Sequence, residues 1–190
     1  MARSAKVVGE RLLAEGRFRL TRTRLEVREA DGSTRTIDHE VYHYKRAAAV
    51  LLYDASRRVV LLVKQFRAGA FLDDGVVDLL EVCAGMLDAD EPAECARREA
   101  WEETGVRVAS LRHAFDAYSS PGGLTERLAC FVAPYGLTDR LGDGGGVDDD
   151  EHIELVELPF AEALHQIEAG AIRDAKTIAL LYYARATGLL

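Results

Sequence analysis

Two apolar runs, Ala47 to Tyr53 and Val59 to Gln65, flank the turn Asp54-Ala55-Ser56-Arg57. Neither run alternates with polar residues, so the strands of the resulting β-hairpin are buried on both faces. A sheet covered on both sides needs packed layers above and below it. The rest of the chain supplies candidates. Val76 to Cys83, Leu111 to Ser119, Arg127 to Ala133 and Ile153 to Leu158 read as further strands. Phe160 to Glu168 and Asp174 to Arg185 carry apolar positions at helical spacing. Pro92 suits the first turn of another helix, which runs to Thr104 and stops at Gly105. The expected fold class is α/β, with a mixed sheet between helices.

The first 45 residues read differently. Phe18 and Leu20, then Leu25 and Val27, alternate with polar residues, and Asp31-Gly32 is a hairpin turn signal before Thr34 to Tyr44. This stretch is too small and polar to stand alone. We expect an N-terminal β-strand appendage over 1–45, packed on the main domain or a second subunit, and a main domain over 46–190.

Composition excludes several classes. With 190 residues, 48% of them hydrophobic, the chain is long and apolar enough to build a core. A formal net charge of −8 disfavours nucleic acid, whose backbone needs clustered Lys and Arg. No apolar run is long enough for a signal peptide or membrane span, so the expectation is a cytoplasmic protein with no membrane partner. Cys83, Cys95 and Cys130 lack metal-ligand spacing and read as free core thiols. The five histidines form no spaced set, so no zinc site is expected.

The chemistry concentrates between Ala84 and Val106, in AGMLDADEPAECARREAWEETGV. On a helix, Glu99, Glu102 and Glu103 project toward one side of a single turn. Like charges crowded this way destabilise a helix, and a hard divalent cation with oxygen ligands offsets the cost. Mg²⁺ suits a few carboxylates together with substrate phosphates, which points to attack on a phosphoanhydride. The plainer alternative is a solvated acidic face in which Arg97 or Arg98 pairs with neighbouring glutamates. Trp101, beside the glutamates, reads as packing.

Other segments carry a functional and a structural reading each. Asp148-Asp149-Asp150-Glu151 is either a solvated acidic loop or a mobile lid that brings a carboxylate, Glu151 by preference, to orient or deprotonate a water. Ser120 to Glu126 is a Pro/Gly turn, and Glu126 is a surface residue or a ligand contact. Arg67 is an exposed strand-end cation or a fork for diphosphate oxygens. Lys176 is a helix-surface lysine or a phosphate contact.

The segment from Gly85 resembles the signature of the Nudix hydrolases: Gly, five residues, Glu, seven residues, Arg-Glu-aliphatic-x-Glu-Glu-x-Gly-aliphatic. Here Gly85, five residues and Glu91 are followed by six residues before Arg98-Glu99, with Ala100, Glu102, Glu103, Gly105 and Val106 in the later positions. The copy is one residue short, in the loop or first turn around Asp88 to Pro92. Further pieces, VVLLVKQFRAGAF, SPGGLTERLACFVA, GGGVDDDEHIELVELPF and GAIRDAKTIALLYY, are similar to the GDP-mannose pyrophosphatase branch, which shares the shortened box. The ADP-ribose pyrophosphatases are more distantly similar.

The resemblance implies an α/β/α sandwich, a homodimer whose N-terminal strands cross to the partner, and Mg²⁺-dependent cleavage of a nucleoside diphosphate sugar, with Mn²⁺ as a substitute ion. Residue by residue, it implies that the Ala84 carbonyl, Glu99, Glu103 and Glu151 hold metal and that Glu102 completes the acidic cluster. Arg98 would orient the carboxylates, with Glu91 as its partner. Arg67, Gly85, Met86, Glu126, Asp150 and Lys176 would contact substrate, while Arg17, Asp38, His39 and Glu40 would reach the partner subunit's site. Arg17 replaces an aromatic usual in that branch, and Asp38-His39 replace a basic pair. The expected reaction is GDP-mannose to GMP and mannose 1-phosphate, with ADP-ribose to AMP and ribose 5-phosphate as the alternative. A non-catalytic nucleotide-sugar sensor and a nucleotide-sanitation or decapping enzyme are the competing classes.

Overall fold

The structure is a computed structural model that describes residues 2–146 and 152–190. The chain divides into two compact units, Met1–Arg46 with Tyr118–Arg127, and Ala47–Ala117 with Leu128–Leu190.

The first unit is a three-stranded antiparallel sheet of β1 (Ser4–Glu15), β2 (Arg19–Arg28) and β3 (Thr34–Tyr42) in the order β1-β2-β3. The Asp31-Gly32 turn joins β2 to β3: Asp31 Oδ1 accepts from the Ser33 amide at 2.9 Å, and Gly32 takes φ 89. Thr21, Thr23 and Val27 of β2 are buried, and the Thr21 hydroxyl bonds both Thr23 and His43. The turn 118–127 joins this unit through its backbone: the Tyr42 amide donates to Gly123 O at 2.8 Å, and the Thr125 amide to Tyr42 O at 3.2 Å. That junction lies 75 or more residues beyond β3 and carries no local sequence signal.

The second unit holds a seven-stranded mixed sheet. Its strands are β4 (Ala47–Asp54), β5 (Val59–Gln65), β6 (Leu79–Glu81), β7 (Cys83–Met86), β8 (Arg112–Tyr118), β9 (Arg127–Pro134) and β10 (Glu154–Pro159). The main path runs β10-β5-β4-β9-β8, with β6 on β5 and β7 on β4. β4 lies parallel to β9 and antiparallel to β5 and β7. Alternate residues of β4 enter opposite cores. Ala47, Ala49 and Leu51 pack with Phe160, Ala163, Leu180 and Leu181. Ala48, Val50 and Leu52 pack with Cys95, Ala96 and Ala100. The first face is thus covered by α3 (Phe160–Glu168) and α4 (Ala175–Ala186), the second by α2 (Pro92–Thr104). This is the three-layered arrangement expected from strands with no polar side.

Two details depart from the sequence reading. The expected single strand over Val76 to Cys83 is two short strands, β6 and β7, broken at Val82, whose amide donates to Thr177 Oγ1 at 2.8 Å. A short helix, α1 (Ala68–Asp74), precedes them; none of its residues is buried, so it has no apolar face to betray it. All three cysteines are buried and free, as expected of core thiols. No helix of the described residues is long and apolar enough to cross a membrane.

Candidate active site

The hairpin of β4 and β5 opens away from its turn. The two strands pair at Leu52↔Leu61, Tyr53↔Val60 and Asp54↔Val59. Beyond that, β4 continues against β7 (Ala48↔Gly85, Ala49↔Ala84) and β5 against β6 (Val63↔Glu81). The chain that fills this opening therefore carries Glu81 on one strand and Ala84, Gly85 and Met86 on the next. Small residues line the floor, which lets a helix approach closely.

That helix is α2. Glu91 is its N-cap residue with Pro92 at its start, and Gly105 ends it in the left-handed conformation, φ 69, with its amide on Trp101 O. A side chain at Gly105 would strike the Gly142 backbone. The buried stripe of α2 is Cys95, Ala96, Ala100, Glu103 and Thr104. Glu103 is thus a carboxylate on the sheet-facing side, 4% exposed, and it accepts from the Ala84 amide at 3.3 Å. Burial, then the charge of Glu99, pushes its carboxyl up to about 8. Glu99, one turn earlier, lies over β7; a Cβ at Gly85 would fall on its carboxylate. Any side chain at position 85 would therefore push the Glu99 carboxylate out of this position.

Arg98 ties the rest of the cluster down. Its Nη1 lies 2.8 Å from Glu99 Oε1 and donates to Glu102 Oε2 at 2.9 Å. Its Nη2 donates to Met86 O at 3.3 Å, and its Nε to Asp90 Oδ2 at 3.0 Å. The loop partner is Asp90, not the expected Glu91. The shortened loop turns tightly, with Asp88 at φ 41 and the Asp90 amide on Leu87 O, and this brings Asp90 to the guanidinium. Glu102 is thus held by Arg98, while Glu103 faces the sheet. Among the described residues no three His, Cys, Asp or Glu side chains gather as a metal-holding set. What the structure brings together is a pair, Glu99 and Glu103.

A second charged cluster adjoins this pair. Glu81 is 3% exposed. Its Oε2 accepts from Arg67 Nε at 2.7 Å and its Oε1 from Lys176 Nζ at 2.7 Å. Lys176 also donates to Asp174 at 3.0 Å, and Asp174 caps α4 through the Thr177 amide at 2.9 Å. Burial opposes the charge on Lys176, yet Glu81 and Asp174 hold its pKa above the ordinary lysine range. Arg67 lies close enough to Glu103 to favour its ionised form. Glu81 and Asp174 escaped the sequence reading. The usable signals were a charge inside the apolar strand LLEVC, and an Asp three residues before Thr177 at a helix start.

The other expected site residues lie as follows. Ala84, Gly85 and Met86 are half-buried on β7. Glu126 is half-buried in the first unit. There, too, Arg17 is exposed with its guanidinium 5.9 Å from the Phe18 ring, Asp38 takes a two-pronged contact from Arg24, and Glu40 pairs with Arg22. His39 is exposed on β3, opposite Thr23. Asp150 and Glu151 lie outside the described residues. Trp101, expected as packing, is 42% exposed: it stands on the outer side of α2, with Arg107 5.9 Å from its ring and Gly142 against its edge.

The protonated Glu103 makes a stability prediction for metal-free protein. Its folded pKa is raised, so the native state holds a proton that the unfolded chain has released between about 4.5 and about 8. Stability from this group is full below that window and is lost as pH rises through it. Glu103→Gln removes the loss. With chelator at pH 9, the variant should melt several degrees above the parent, and at pH 4 the two should coincide; scanning calorimetry reads both. A parent whose melting point does not fall relative to the variant over this range contradicts the buried proton.

Comparison with known proteins identifies the family. The NUDIX domain profile matches residues 43–181. GDP-mannose pyrophosphatase of Klebsiella pneumoniae subsp. pneumoniae is 43% identical over 193 residues, covering 100% of this chain and 96% of that protein. Its counterpart from Cronobacter sakazakii is 41% identical over 193 residues, with both chains fully covered. Among solved structures, one described as an ADP compounds hydrolase superposes with a TM-score of 0.74 at 17% identity, covering 96% of this chain and 92% of that one, which speaks for the fold alone. A profile matched across more than half the chain and full-length relatives above 40% identity place this chain in the NUDIX family.

Proposed function

We propose that this chain hydrolyses the diphosphate bond of a nucleoside diphosphate sugar, with GDP-mannose as the preferred substrate and GMP and mannose 1-phosphate as products. One observation carries the reading: a carboxylate pair, half-buried Glu99 and buried Glu103, stands within electrostatic reach of Arg67, which shares the Glu81 carboxylate with a second cation, Lys176. Acid oxygens for a metal and guanidinium and ammonium groups for phosphate oxygens are what diphosphate cleavage needs. The choice of GDP-mannose is supported by the full-length similarity to proteins of that name.

The donor set fits a divalent cation, Mg²⁺ or Mn²⁺. Two like carboxylates one turn apart, one of them driven to hold a proton, are what a hard cation relieves. Glu99, Glu103 and the Ala84 carbonyl would hold it, with Glu151 completing the set. When bound, the cation neutralises charge on the phosphoryl oxygens and favours ionisation of water. Arg67 and Lys176 bind diphosphate oxygens and oppose the charge that builds in the transition state. Arg98 keeps Glu99 and Glu102 aligned. A water oxygen bonds to one phosphorus while the bridging P–O bond breaks, and the water's proton passes to a carboxylate, for which Glu151 is our assignment. Met86, Glu126 and Asp150 are assigned to substrate contact.

We also take the protein to be a homodimer in which Arg17, Asp38, His39 and Glu40 reach the partner's site; a solution mass near twice 20.9 kDa by light scattering is the expected result, and the monomer mass would refute it.

The test of the activity is a substrate panel of GDP-mannose, ADP-ribose, GDP-glucose and 8-oxo-dGTP with Mg²⁺, following phosphate-ester products. GDP-mannose should give the highest kcat/KM, and Glu103→Gln should lower kcat by about three orders of magnitude or more, a loss of roughly 4 kcal/mol in transition-state stabilisation. Turnover of ADP-ribose in preference to GDP-mannose would overturn the substrate. No turnover of any member would favour a sensor.

A further inference from the structure

Glu81 is a charged residue that no role above uses. It sits at 3% exposure on β6, where the strand leaves β5 and the chain passes to β4. Its two oxygens are divided between two cations from distant parts of the chain: Oε2 takes Arg67, from the end of β5, and Oε1 takes Lys176, from the first turn of α4. The neighbouring backbone fixes its position, because the Val82 amide is bonded to Thr177 of the same helix turn. Asp174 fixes the far side of Lys176. The four side chains form one chain of contacts, Asp174–Lys176–Glu81–Arg67, with two positive and two negative groups. A buried carboxylate bonded to two cations is over-determined in position and costly to disturb.

We infer that Glu81 is a positioning residue that sets the spacing of Arg67 and Lys176 and, by neutralising part of their charge, keeps them from gripping the ground-state diphosphate. The inference rests on the reading of Arg67 and Lys176 as diphosphate ligands. Cations that are free to move and carry uncompensated charge bind a dianion tightly wherever it lies. Cations fixed by a shared carboxylate favour the one geometry in which charge builds during reaction. Loss of the carboxylate charge therefore divides the kinetic constants in a way that loss of structure does not. The ground state is held more tightly and the transition state less well.

Glu81→Gln should lower kcat for GDP-mannose at least tenfold and lower KM about threefold or more, with the KM of the variant rising more steeply with salt than that of the parent. A parallel measurement needs no turnover: inorganic pyrophosphate, titrated by calorimetry in the presence of chelator, should bind the variant at least threefold more tightly than the parent. Glu81→Asp guards against a folding defect. It keeps the charge but is one methylene shorter and reaches one cation only. Its kcat should fall at least tenfold while its pyrophosphate affinity stays within twofold of the parent. Circular dichroism melts report whether each variant is folded. A raised KM with unchanged pyrophosphate affinity in Glu81→Gln, or parental kinetics in both variants, overturns the inference. If the parent does not turn over GDP-mannose, the proposed activity fails by itself, and the pyrophosphate titrations still decide the role of Glu81.

Discussion

The site depends on one unfavourable interaction: two carboxylates, Glu99 and Glu103, one helical turn apart, with Glu103 turned inward against the sheet. Burial and the neighbouring charge raise the Glu103 carboxyl to about 8. A folded chain sustains such a cost only if the surrounding structure enforces it. Here the enforcement is packing. Ala96 and Ala100 on α2, and Ala48 and Gly85 beneath it, are small enough to draw helix and sheet together. Larger residues on either side would lift the helix and release Glu103 to water. The carboxylate pair is therefore a product of the same close approach that builds the second core.

Arg98 and Glu81 play matching parts on the two sides of this pair. Arg98 is one cation shared among Asp90, Glu99, Glu102 and the Met86 carbonyl. Glu81 is one anion shared between Arg67 and Lys176. Each fixes several groups of the opposite sign from different chain segments. The splayed β4–β5 hairpin makes room for both, since β6 and β7 enter the opening and carry Glu81 and the carbonyl of Met86 to its edge. An opening in the sheet thus becomes a place where anionic and cationic groups stand in separate, internally braced sets.

How much of this was legible in the sequence follows from the range of the interactions. The bounds of α2 were readable because their causes are local: Pro92 at the start and Gly105 at the stop. The two-faced burial of β4 and β5 was readable because it requires unbroken apolar runs. Helix α1 was not, since it buries no residue and so shows no periodicity. The break at Val82 and the role of Glu81 were not, because their partners on α4 lie 95 residues away. Asp90 rather than Glu91 meets Arg98 because the tight turn at Asp88 presents it, and spacing alone does not reveal that turn. Trp101 was misread by its size: Ala100 and Thr104 face the sheet, and the residue between them on the other face points outward whatever its hydrophobicity.

The central claim is that Glu99 and Glu103 jointly form a cation site at the edge of β7. Anomalous diffraction from crystals soaked in Mn²⁺ tests it most directly. The account requires a single strong peak, or the stronger of two, in contact with carboxylate oxygens of both residues. A structure in which Mn²⁺ binds elsewhere, with Glu103 still protonated against the Ala84 amide, would contradict it.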